Sequence, residues 1–178
     1  MKYVFLVLAL LGHTGCIGRA QADDTETVSL TFHGTRFTAI SHSVHSYATA
    51  QEIWAHPAGA GQSRMVDLRQ STIVLHRGVP GLAVLTERVT AWGCATTSKA
   101  SFLILQYDCP QLLPEDVPAR FCSESGEWYR YIALDGSLLD TGFGLGRGDR
   151  DSDPRERALR ARLGLPPDDE DVRFEEIL

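Results

Sequence analysis

The chain has 178 residues, a formal net charge of −6, and 43% apolar, 22% charged and 8% aromatic residues. That length fits one domain with a core of its own; the composition is too apolar for a disordered chain and too charged for a multi-span membrane protein. The acidic balance argues against a nucleic-acid binder, whose footprint is basic.

Met1-Lys2 is a minimal positive start, and Tyr3 to Leu11 is an unbroken apolar run too short to span a bilayer. It suits the apolar region of a signal peptide. Ala20-Gln21-Ala22 is an A-x-A cleavage site that releases a chain beginning at Asp23. His13-Thr14-Gly15-Cys16 resembles a bacterial lipobox, in which Cys16 carries the lipid and the leader is 1–15 instead of 1–22. Both exits place the protein outside the cytoplasm, either soluble (periplasmic or secreted) or as a membrane-anchored lipoprotein. No later stretch is long enough to span a membrane.

Thr27 to Phe32 and Arg36 to Ile40 are β-rich runs around His33-Gly34-Thr35, a hairpin signal. Ser43 to Ala55 reads as helical until Pro57 and the Ala58-Gly59-Ala60-Gly61 stretch break it. On a helix from Ser41 to His56, the residues His42, His45, Thr49, Glu52 and His56 share an arc of about 80°. Neighbouring imidazoles and a carboxylate there suit Zn²⁺ or a related transition metal. His42 and His56 would stand about 21 Å apart along the axis, so one ion takes His42/His45 or Glu52/His56 with ligands from elsewhere, such as His33 or His76. The H-E-x-x-H spacing of zinc hydrolases is absent. Competing readings are a solvated polar face or a pH-responsive one.

Ser71 to His76 reads as a buried strand. Leu82, Leu85, Val89 and Trp92 recur every three or four residues, so Pro80 to Trp92 reads as an amphipathic helix closed by Gly93. Ala100 to Tyr107 is a central-type strand, and a Pro-containing loop, Cys109 to Pro118, follows it. Export permits disulfides, and the expected pair is Cys94 with Cys109, stapling helix end to strand end and closing a loop of about 15 residues. Cys122 is then inert or bridges a partner.

Trp128 to Leu134 is a strand, and Asp135-Gly136 turns it into Ser137 to Thr141. Gly142 to Asp149 alternates glycine but fails G-x-G-x-x-G, which leaves a linker. Asp149, Asp151 and Asp153 imitate a calcium loop but lack its glycine and closing glutamate. Asp153-Pro154-Arg155-Glu156 is a capping box that starts a helix ending at Gly164. An acidic tail, 165–178, carries Val172, Phe174, Ile177 and Leu178, apolar anchors that dock on the parent domain or on a partner groove.

The order of elements predicts a single α+β domain over 23–164: a mostly antiparallel sheet with two to three helices and one disulfide. No asparagine occurs, and two lysines stand against fifteen arginines, the mark of a GC-rich, bacterial genome. The expected function is an exported cell-envelope module, binding or accessory rather than enzymatic, with an envelope protein partner contacted through Phe174, Ile177 and Leu178. That role needs no cofactor. The alternative is a metal-binding protein or metal-dependent hydrolase using the histidines of 42–56.

Overall fold

The computed structural model describes residues 23–59, 61–108, 127–140, 154–166 and 172–177. Three antiparallel strands open the fold: β1 (Asp24–Phe32), β2 (Thr35–Val44) and β3 (Tyr47–His56). Two-residue turns join them, His33-Gly34 with φ of 46° and 79°, then His45-Ser46 with 51° and 68°. Two-residue hairpin loops of this kind need positive φ at both central positions, which Asn and Gly usually supply. In a chain without asparagine, histidine takes the left-handed position, which it tolerates better than most residues do.

β4 (Arg64–Met65) completes a first sheet of order β1-β2-β3-β4, and β5 (Thr72–Val74) with β6 (Ala83–Leu85) makes a separate hairpin. β7 (Arg88–Thr96), β8 (Ser101–Asp108), β9 (Glu127–Ala133) and β10 (Phe174–Glu176) form a second sheet of order β10-β7-β8-β9, with one helix, α1 (Pro154–Leu163), before β10.

The architecture is three layers. Alternate residues of the first sheet (Phe37, Ala39, Ile53, Ala55) pack on one side of the second sheet, against Trp92, Leu103, Leu105 and Trp128. The other side of the second sheet (Phe102, Ile104, Tyr131, Phe174) is covered by Leu163 and Leu159 of α1. The helix ends as its sequence dictates. Gly164 takes φ 77°, Leu165 N–H donates to the Arg160 carbonyl at 3.0 Å, and Gly164 N–H donates to that of Ala161 at 3.3 Å. No helix among the described residues is long and apolar enough to cross a membrane.

The α+β expectation with two to three helices is overturned: the fold is mostly antiparallel sheet, and the described residues contain one short helix. Both misread helices run over bulged strands: Ser43 to Ala55 covers the β2–β3 turn and most of β3, and Pro80 to Trp92 covers β6 and the start of β7. In β7 the pairing runs Val89 to Tyr107, Ala91 to Gln106 and Trp92 to Leu105, which leaves Thr90 as an extra residue. A bulge restores the same face after three residues instead of two, so Val89 and Trp92 both reach the core and mimic helical spacing. β3 carries the same device at Thr49, because His42 pairs with Ala50 and Ser43 with Ala48. The expected disulfide loses its geometry too. Cys94 is a free thiol inside a strand rather than after a helix, and no disulfide is found among the described residues.

Residues 172–177 belong to this fold. β10 runs antiparallel to β7, and Ile177, 1% exposed, lies in the main core. Gly93 permits the approach, since a Cβ there would stand 2.6 Å from Val172 Cγ1. The leader with Cys16, the Cys109 to Pro118 loop, Cys122, the glycine run with Asp149, Asp151 and Asp153, and Leu178 lie outside the described residues.

Candidate binding surface

Strand alternation decides what the first sheet shows to solvent. Thr35, Phe37, Ala39 and Ser41 are buried, so Arg36, Thr38, Ile40 and His42 take the opposite face. Cross-strand register then sets out four rows: Thr25, His42 and Ala50; Thr27, Ile40 and Glu52; Ser29, Thr38, Trp54 and Met65; Thr31, Arg36 and His56. Every contribution of β1 to this face is a hydroxyl residue, and all four are exposed.

Side-chain hydrogen bonds fix the lattice. Thr25 Oγ1 meets His42 Nδ1 at 3.1 Å, and the Ser29 and Thr38 hydroxyls meet at 3.2 Å. Trp54 Nε1–H donates to Glu52 Oε2 at 2.8 Å, which ties a half-buried indole down beside Met65, itself 53% exposed. His56 Nδ1 meets Ser63 Oγ at 2.7 Å. The result is an apolar strip of Ile40, Trp54 and Met65 set among hydroxyls, with Arg36 and Glu52 as its formal charges.

The metal candidates are spread over this surface. His42 and His56 occupy opposite ends of the β2–β3 pair, His45 forms a turn, and the Glu52 carboxylate accepts from Trp54. Convergence at spacings of three and four requires a helix, and the segment is strand. Among the described residues no three His, Cys, Asp or Glu side chains gather as a metal site. His33 lies far from this face in role, its Nε2 meeting Thr96 Oγ1 at 3.0 Å. Of the tail residues, Phe174 lies on the helix-covered side of the second sheet, and Ile177 is buried.

Buried polar groups hold the layers together. The Gln51 amide donates to the Val89 carbonyl and accepts from Val89 N–H, both at 2.8 Å, so a β3 side chain takes the place of a ladder partner for β7. Gln70 donates to the same Gln51 oxygen, and Glu87, 2% exposed, accepts from Ser71 N–H at 2.9 Å and Thr86 Oγ1–H at 2.7 Å. Arg130 is fully buried, pairing with Asp140 at 3.1 Å and donating to the Asp67 carbonyl. Tyr131 O–H donates to Glu156 and accepts from Arg160. Burial and the neighbouring Glu175 push the Cys94 thiol up to about 11.

Sequence reading missed Trp54 and Met65. On a helix Trp54 falls away from Glu52 and His56, whereas at period two positions 52, 54 and 56 share one face. The alternating hydroxyls of Thr25, Thr27, Ser29 and Thr31 were the available signal. Comparison with known proteins brings no match: no family model, no curated protein and no solved structure aligns with the chain.

Proposed function

We propose that the chain is an exported module of the bacterial envelope, binding or accessory rather than enzymatic, and that the outer face of the first sheet is its contact surface. The observation that carries this reading is the tied indole of Trp54 beside exposed Met65 on a face whose other residues are mostly hydroxyl or polar. A large amphipathic ring with little rotamer freedom to lose, surrounded by adaptable polar groups, is the composition of protein contact patches. The buried ionisable groups Glu87, Arg130 and Arg160 are bonded into the scaffold, which gives them a structural role. The apolar run of Tyr3 to Leu11 and the two cleavage alternatives support delivery to the envelope, soluble or lipid-anchored.

The test is fractionation of cells expressing the full chain, with intact mass of the product and of whatever envelope component co-purifies with it. The expected product starts at Asp23 or carries lipid on Cys16. Its bound component is lost in Trp54→Ala/Met65→Lys and kept in Val74→Lys, an equally exposed control at 53%. A cytoplasmic chain with Met1 intact, or binding indifferent to Trp54 and Met65, overturns the reading.

A further inference from the structure

Among the described residues the two large sheets end on four edges, and three are short or overlaid. β4 has two residues and β10 three. β9 is followed outward by residues 137–139, where Ile132 bridges Leu138 and Leu139 N–H donates to the Tyr131 carbonyl at 2.9 Å. β1 differs: its nine residues pair with β2 along their whole length, with no proline or bulge, and its only charges, Asp24 and Glu26, lie at one end. Natural sheets shorten, charge or bend such edges because an open ladder is a template for another strand. Phe32 and Thr35 close a two-residue loop and therefore form a hydrogen-bonded pair. Alternation then leaves the N–H and C=O groups of Thr25, Thr27, Ser29 and Thr31 pointing away from β2, and all four residues are exposed.

We infer that β1 pairs antiparallel with β1 of a second copy of this chain, about a twofold axis through Val28, joining two first sheets into one of eight strands. In this register Thr27 faces Ser29 and Thr25 faces Thr31 as the hydrogen-bonded pairs, Glu26 faces Leu30, and Asp24 faces Phe32. All nine positions are matched, and no carboxylate opposes another. Moving the axis to Thr27 shortens the ladder to residues 24–30, and moving it further toward the acidic ends sets Glu26 against Glu26 or Asp24, a like-charge cost. The other slides shorten the ladder. One edge thus specifies one register with itself, as an isologous interface requires. The hydroxyl face continues across the seam, although the pairing holds or fails independently of what that face binds.

Sedimentation velocity of the mature chain over a range of concentrations tests this. Wild type associates to a dimer, more strongly as salt screens its net charge of −8, the −6 of the full chain without Lys2 and Arg19. Ser29→Pro abolishes the dimer without loss of structure by circular dichroism, because its N–H points to the open edge. Thr27→Lys does the same without altering the backbone and decides the matter if the proline variant misfolds. Under oxidation Val28→Cys forms a covalent dimer, since a non-hydrogen-bonded pair brings Cα atoms to about 4.5 Å. Thr25→Cys, which faces Thr31, stays unlinked. A chain that is monomeric throughout, a dimer indifferent to both edge variants, or a foreign strand on β1 of a monomeric chain overturns the inference.

Discussion

His33, His45 and Ser46 hold positive φ without being glycine. An L-residue in that conformation costs roughly 1–2 kcal/mol, repaid only because the turn twist suits the flanking strands. Replacing His45-Ser46 by Asn-Gly is expected to raise stability by about 1 kcal/mol, read as a higher urea midpoint at unchanged slope. Two of the histidines that invited a metal reading are therefore turn residues, a role illegible in a sequence where the usual turn asparagine is missing. Cys94 gives a second residue-scale prediction. Its thiol is raised from 9.0 to about 11 in the fold, so the folded chain holds that proton through pH values where the unfolded chain loses it. The contribution is complete below pH 9, and stability falls as pH rises from there toward 11. Cys94→Ser should flatten that fall in pH-dependent urea melts. The same protonation makes Cys94 slow toward alkylating reagents near neutral pH, which peptide mapping would show.

At the scale of elements, two hairpins and the last helix were legible because their turn and cap residues act locally: His33-Gly34, Asp135-Gly136, and Pro154 to Gly164. The bulged strands were not. Thr49 and Thr90 each insert a residue that changes the period from two to three, and nothing in a single sequence marks an insertion of that kind. Packing of Val89 and Trp92 against the opposite layer decides it, and that information is non-local. The polar ties between layers were equally hidden. Gln51→Leu strands the N–H and C=O of fully buried Val89 and is expected to cost about 2–3 kcal/mol in denaturant melts. Asp140→Ala leaves the Arg130 guanidinium buried without its carboxylate and should cost about 3–5 kcal/mol. Arg130→Met with Asp140→Ala should recover most of that loss, since an apolar replacement of similar volume removes the stranded charge.

For the whole molecule, sequence conveyed the sheet-rich character but not the layering. The expected sheet covered by several helices is, among the described residues, two sheets face to face with one helix behind the second. The candidate surface was half visible: the hydroxyl alternation of β1 stood in plain sequence, whereas Trp54 joined Glu52 and His56 only once the segment proved to be strand. Sequence leaves the tail docking either on the parent domain or on a partner groove, and the structure uses Ile177 as core. Truncation after Leu165 should therefore unfold the domain or lower its melting temperature sharply, because it removes a strand and uncovers Trp92 and Gly93. The most direct test of the contact surface is a photo-reactive side chain at position 65 in cells that export the chain, with the same group at position 74 as control. Cross-linking to a discrete envelope component from 65, absent from 74 and lost with Trp54→Ala, is the expected result. Equal cross-linking from both positions, or none from 65, would contradict it.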